Sequence, residues 1–502
     1  MADRREWIIS LNAIREVLAS ELKPELPSAR SREAVENVDM TLARMIADLE
    51  SGPGIAEDRL EQWRDLRGEF AAIAGSASAP GRIVPVADRF ESLEAVMAEL
   101  QRDVDRLTPD ADFLHDLATA GSPTDRWFSR AAQAMLDFAS AYEATITPAP
   151  LPEPQQDLAV EEARLRAALN AYLPRKFPQL PADPVLSLHL ATGGLGKRTA
   201  LFRLVDNPVL PTRLVLRGDI STGTTHTTVV REFPLLQEVH ARGLPVPRPL
   251  LLEADAAVIG GAFILVTEIE DATLAGFAFV EDRRMQRAAH PVPDAEFARE
   301  LARTLARLHA IRHMPGTAVE AGNAAPQWTT PDAMIADWLK SWQTSEKGPF
   351  SLVTDLSFAW LRAHPLPADR PRSVIHGDVS AHNILVRNGR LAALLDWETA
   401  REGDPAEDLG YCRLLLIEGV LPWQDFIAEY LSAGGDPRAC DPQAVNFWAV
   451  WTWAMAAARV TVVRQLLSSG VRSDIRASNY AWHFFLRMQY YGARELARAV
   501  KE

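Results

Sequence analysis

The chain is poor in cysteine, in basic charge and in unbroken apolar sequence, and each shortage closes off a class of protein. Two cysteines among 502 residues, Cys412 and Cys440, cannot form a disulfide framework, which implies buried thiols and a reducing, cytoplasmic setting. Lys and Arg number 53 against 67 Asp and Glu, a formal charge of -14. Nucleic acid is bound through clustered cationic side chains, so no nucleic-acid partner is expected. The most apolar stretch, Phe447 to Val463, is interrupted by Arg459 and is shorter than the roughly 20 residues a membrane-spanning helix needs. The first residues, Met-Ala-Asp-Arg-Arg-Glu-Trp, lack the apolar core of a secretory signal, so neither export nor a membrane is implied.

What is present is an ordinary globular composition, 47% apolar and 24% charged, in a chain long enough for two or three domains. Residues 1–145 carry apolar residues three or four apart, as in Trp7, Leu11, Ile14, Leu18 and Leu22, and then in Val35, Val38, Leu42, Met45 and Leu49. Further helices are predicted over about 55–73, 87–107 and 125–144, with Ser51-Gly52-Pro53-Gly54 and Ala79-Pro80-Gly81 as breakers, giving an all-α bundle. Residues 146–157 are proline-rich and read as a linker, because each proline lacks an amide donor and restricts its predecessor.

A helix is expected from Leu158 to about Leu173. Strand patterns follow at 185–190, 201–205, 213–217, 250–253 and 263–268, so 158–270 forms a small, mostly antiparallel sheet lobe. From Asp294 helices return, with Phe297, Leu301, Leu305 and Leu308 on one face, and 271–502 reads as a helical lobe. The fold class is therefore α+β, an all-α domain preceding a sheet lobe and a helical lobe.

The chemistry lies in residues 374–411. Val374 and Ile375 end a strand, and His376-Gly377-Asp378 follows in a loop; Asn383 comes five residues later, and Leu391 to Leu395 form a second apolar strand ending in Asp396. The intervening Asn388-Gly389 is a strong hairpin turn. A loop carboxylate at Asp378 suits a catalytic base that aligns a substrate hydroxyl, while Asn383 and Asp396 supply oxygen ligands of the kind magnesium prefers. Upstream, Ala191-Thr192-Gly193-Gly194-Leu195-Gly196-Lys197 lies between two strands, where Gly193, Gly194 and Gly196 would let the backbone approach nucleotide phosphates. A P-loop is excluded, since Ala191 and Arg198 stand where that motif requires Gly and Ser or Thr.

The strip His376-Gly377-Asp378, four residues, Asn383, then Asp396-Trp397-Glu398 resembles that of the aminoglycoside phosphotransferase and choline kinase superfamily. It is most similar to the kinase-domain branch of acyl-CoA dehydrogenase family members 10 and 11. The resemblance covers about residues 160–490 and implies a bilobal protein-kinase-like fold. It also implies an enzyme that uses ATP, with GTP still open, and Mg2+. Under it, Asp378 is catalytic, Asn383 and Asp396 bind the metal, and His376 and Asp408 are structural. Arg217 replaces the family's phosphate-binding lysine with Glu232 as its partner, Lys197 shares that work, and Thr267, Glu268 and Ile269 form the adenine-binding hinge.

The acceptor is a hydroxyl of a small molecule. Phe447, Trp448, Trp451, Trp453, Tyr480, Trp482, Phe484, Phe485, Tyr490 and Tyr491 concentrate on the last helices. If some of them line the acceptor pocket, they favour a hydrophobic metabolite such as a hydroxyacyl thioester. An aminoglycoside is the alternative acceptor. A nucleotide-binding pseudokinase is the alternative outside enzymes, with residues 1–145 as a module for a protein partner or a second copy.

Overall fold

The computed structural model describes residues 29–73, 89–143, 159–191, 197–219, 228–275, 294–314, 330–344, 351–468 and 485–502, with isolated positions before residue 29. The proline-rich linker, Gly193, Gly194, Gly196, Ala79-Pro80-Gly81, Tyr480, Trp482 and Phe484 lie outside the described residues. Two compact units are formed, one from 1–153, 328–369 and 442–502, the other from 154–327 and 370–441. Among the described residues no helix is long and apolar enough to cross a membrane. Cys412 is buried and Cys440 half-buried, both unbridged.

The second unit is built on an antiparallel sheet of β1 (Val185–Leu190), β2 (Lys197–Leu204), β3 (Arg213–Asp219), β4 (Pro249–Glu253) and β5 (Phe263–Thr267), in the order β1-β2-β3-β5-β4. Alternation along β3 explains its two faces. Leu214 and Leu216 are fully buried against Leu165, Leu169 and Leu173 of the helix Ala159–Lys176, joined by Phe202, Phe263 and Leu265. Val215, Arg217 and Asp219 point the other way. The helix Val229–Ala241 lies between β3 and β4 in sequence and starts on Thr228, whose hydroxyl accepts from the Val230 amide.

The strip folds as the sequence suggests. β6 (Thr273–Leu274) pairs with β8 (Ile384–Arg387), which turns into β9 (Arg390–Leu394). β7 (Ser373–Ile375) pairs with β10 (Arg401–Gly403). The hairpin turn has Asn388 and Gly389 at φ 52° and 75°, the left-handed pair that a two-residue turn between twisted strands requires. The helix Ala295–His309 buries Phe297, Leu301, Leu305 and Leu308, the face read from the sequence.

Among its described residues the other unit is all helix, and it departs from expectation in two places. Ser51-Gly52-Pro53-Gly54 does not break the chain: one helix runs from Ala29 to Ile73. A helical proline forfeits a hydrogen bond and crowds the preceding turn, but Ile46, Ala56, Leu60, Trp63, Leu66 and Phe70 keep a buried stripe on both sides of it. The short helix Ala111–Ala118, not foreseen, is capped by the Asp110 carboxylate on the Phe113 amide at 2.9 Å.

Packing also groups the chain differently from the consecutive division 1–145, 146–157, 158–270 and 271–502. Residues 328–369 and 442–502 join the N-terminal helices, because the aromatic-rich helix Pro442–Ser468 and the helix Phe485–Ala499 share their core. Gln101 Nε2 donates to the buried Asp355 at 2.5 Å, and Trp342 Nε1 donates to the same carboxylate at 2.7 Å. Phe447, Trp448, Trp451, Trp453, Phe485 and Tyr491 are all buried, so they fill this core. They no longer argue for an apolar acceptor pocket.

Candidate active site

The loop after β7 is held from beneath. Asp408, wholly buried, accepts the amides of His376 and Gly377 at 2.8 Å each and lies 3.1 Å from His309 Nε2. The other nitrogen of His309 is 2.9 Å from the Tyr430 hydroxyl. Burial alone would raise the Asp408 carboxyl, but the hydrogen bond and charge of His309, with His376, hold it below the usual carboxylate range. Gly377 has φ 76°, and a Cβ there would meet the Thr399 carbonyl and the Arg401 guanidinium at 2.9 Å. Only glycine fits that conformation and that space.

One imidazole then joins this loop to the next. His376 Nδ1 accepts the Asp378 amide at 3.3 Å, and Nε2 donates to the carbonyl of Leu395, the neighbour of Asp396, at 2.9 Å. The Leu395 amide donates to the Asn383 carbonyl at 2.8 Å, and Asn383 Nδ2 donates to the Asp378 carbonyl at 3.1 Å. Asp378, Asn383 and Asp396 are thereby fixed on adjoining loops. Asp396 sits at φ 61°, a strained conformation for a residue with a Cβ, held by these neighbours.

Above Asp396 stands Arg217, as the β3 alternation requires. Its Nε is 3.2 Å from Glu232 Oε2, its Nη2 is hydrogen-bonded to Asp396, and Glu398 lies 3.7 Å away. Three carboxylates thus surround one guanidinium. Burial pushes Glu232 upward against the pull of Arg217, while burial and the nearby Asp396 push Glu398 up to about 7. Arg217 keeps its charge, since these carboxylates outweigh its own burial. Among the described residues no group of three or more His, Cys, Asp or Glu that could hold a metal is found.

The sequence profile of the phosphotransferase enzyme family matches residues 190–443, which contain every one of these side chains. The chain belongs to this family. Among curated proteins it is similar to acyl-CoA dehydrogenase family member 11 of Pongo abelii, 25% identical over 282 residues, which are 54% of this chain and 31% of that protein. The Mus musculus protein of the same name is 31% identical over 192 residues, 37% of this chain and 22% of that protein. The chain thus spans about a third or less of these relatives. A choline/ethanolamine kinase family protein from Mesorhizobium loti has a similar solved structure, with a TM-score of 0.42, 20% identity and coverage of 68% of this chain and 99% of that one.

Other expected positions of this phosphotransferase are placed as follows. Lys197 opens β2 with its amine buried 2.8 Å from Asp219, on the same side of the sheet as Arg217. Where the resemblance puts the hinge, the Thr267 amide donates to the Arg248 carbonyl and the Glu268 amide to the Arg213 carbonyl, so these two donors are already used. Ile269 follows directly. Sequence reading missed His309, Tyr430 and Asp219. His309 had a signal, being a histidine four residues after Leu305 on the buried face of its helix; Tyr430 and Asp219 had none.

Proposed function

We propose that the chain transfers the γ-phosphoryl group of ATP to a hydroxyl of a small-molecule acceptor. The observation that carries this reading is the His376 ring, which sets the Asp378 loop against the Asp396 loop. The donor set suits magnesium: Asp396 and Asn383 offer hard oxygens, and the Asn383 nitrogen is already used on the Asp378 carbonyl. Magnesium held there would neutralise charge on the β- and γ-phosphates. Asp378 accepts a hydrogen bond from the acceptor hydroxyl, aligns its oxygen in line with the γ-phosphorus and takes its proton as the new P–O bond forms and the bond to ADP breaks. Arg217, oriented by Glu232, contacts the α- and β-phosphates through its planar fork, which lysine could not reproduce. Thr267, Glu268 and Ile269 border the adenine.

For the acceptor we favour a hydroxyacyl thioester, on the similarity to acyl-CoA dehydrogenase family member 11 alone. Phosphorus NMR on the full chain with magnesium and either ATP or GTP, offered hydroxyacyl-CoA, hydrophobic alcohols and aminoglycosides, tests this reading. Wild type should phosphorylate the thioester, and Asp378→Asn should slow transfer by about 10^2 to 10^4. Transfer to an aminoglycoside alone overturns the acceptor. Nucleotide binding without transfer to any cellular metabolite, in wild type as in Asp378→Asn, overturns the enzyme in favour of a pseudokinase.

A further inference from the structure

Asp219 is the last residue of β3, two beyond Arg217 and on the same face. Its Oδ1 takes the buried Lys197 amine at 2.8 Å and the Val229 amide at 3.1 Å, and its Oδ2 accepts the Thr228 hydroxyl. Its own amide donates to the Ala262 carbonyl at 2.8 Å. A Cβ on Gly261 would lie 2.2 Å from the Asp219 carbonyl, so only glycine lets the 260–262 turn close on this residue. One carboxylate therefore joins three elements: the start of β2, the end of β3 and the first turn of the helix Val229–Ala241.

That helix carries Glu232 one turn further on, and Glu232 holds Arg217. β3 thus reaches the helix twice, through Asp219 at its start and through Arg217 at Glu232. Two cations are set from the same place. Lys197 lies directly across the ladder from Asp219, and Arg217 across from Thr199, two residues along β2. A strand spacing near 4.8 Å and two residues of strand, roughly 6.6 Å, keep both cations within the span of a triphosphate. Asp219 is half-buried, and its carboxylate is shared between the Lys197 amine, the Thr228 hydroxyl and the Val229 amide.

We propose that Asp219 is a positioning residue for nucleotide phosphates. It holds the Lys197 amine and, through the first turn of the helix, the Glu232 that orients Arg217. The inference rests on the phosphotransferase reading but needs no knowledge of the acceptor.

The test is calorimetric titration of the full-length chain with ATP, ADP and adenosine in magnesium buffer, on wild type, Asp219→Ala, Asp219→Asn, Lys197→Ala and the Asp219→Ala/Lys197→Ala pair. Asp219→Ala should weaken ATP and ADP about tenfold or more while leaving adenosine within about twofold, since a charge-assisted contact is what is lost. Asp219→Asn keeps an acceptor for the Val229 amide and serves if the alanine variant does not fold; it should weaken ATP less than alanine but by several-fold. The double variant should be no weaker than Asp219→Ala, because the two side chains act as one unit. An equal loss for adenosine and ATP, or a folded Asp219→Asn that binds ATP as wild type does, overturns the proposal. If wild type binds no nucleotide, the phosphotransferase reading itself fails.

Discussion

In the unit with the sheet, Asp408 is fully buried and receives two backbone amides of the loop that carries Asp378; in the other unit, Asp355 is as deeply buried and receives side chains from two other helices. The chemistry of the two sites is alike, but what they hold differs. A loop has no ladder to fix its amides, so Asp408 decides a backbone conformation that Asp378 inherits. Helices satisfy their own backbones, so Asp355 ties helices together, by giving Gln101 and Trp342 a hydrogen-bond acceptor in an apolar core. Buried polar groups thus serve shape in one unit and assembly in the other.

The comparison can be broken directly. Asp408→Ala strands buried donors and should cost about 3–5 kcal/mol of stability in urea unfolding, together with most phosphoryl transfer even where the variant is folded. Asp355→Ala should cost about 1–3 kcal/mol for each stranded donor yet leave turnover per folded molecule near wild type. Equal losses of turnover in the two variants would abolish the distinction. Trp451→Ala sharpens the core assignment of the aromatics: a stability loss of about 3–5 kcal/mol is expected with the acceptor KM unchanged, and a raised KM would return that residue to the pocket.

Smaller effects follow from pH and from the hairpin. The Asp408 carboxyl is held below its unfolded value, so its stabilisation is complete above about pH 4 and is lost as pH falls through the lower folded value. Asp408→Asn should therefore flatten the acid limb of the stability curve; an unchanged limb would mean that other carboxylates set it. Asn388, at φ 52°, tolerates glycine, whereas Asn388→Ala should cost about 1 kcal/mol, read as a shift in melting temperature.

Much of the sheet unit was legible. The strands at 185–190, 213–217, 250–253 and 263–268, the Asn388-Gly389 turn and the Phe297 to Leu308 face lie close to where periodicity and turn chemistry put them, because those signals act over a few residues, whereas β2 starts at Lys197, four residues before the strand pattern. Arg217 does meet Glu232, although that pairing came from family resemblance. Three features were not legible. The helix through Pro53 depends on a buried stripe longer than any local window. Tyr430 meets His309 from 121 residues away, and Asp219 meets Lys197 across a ladder whose register no pattern announces.

The sequence by itself determined the order of helical and sheet regions, the three polar residues of the strip and the family they belong to, since each depends on residue type and short spacing. Only tertiary structure decided that one histidine binds the two acidic loops, that Asp219 gathers three elements, and that the C-terminal aromatics are core. Those outcomes depend on which distant surfaces meet. Burial and hydrogen-bond satisfaction select that meeting over the whole unit, and no short stretch of sequence carries it.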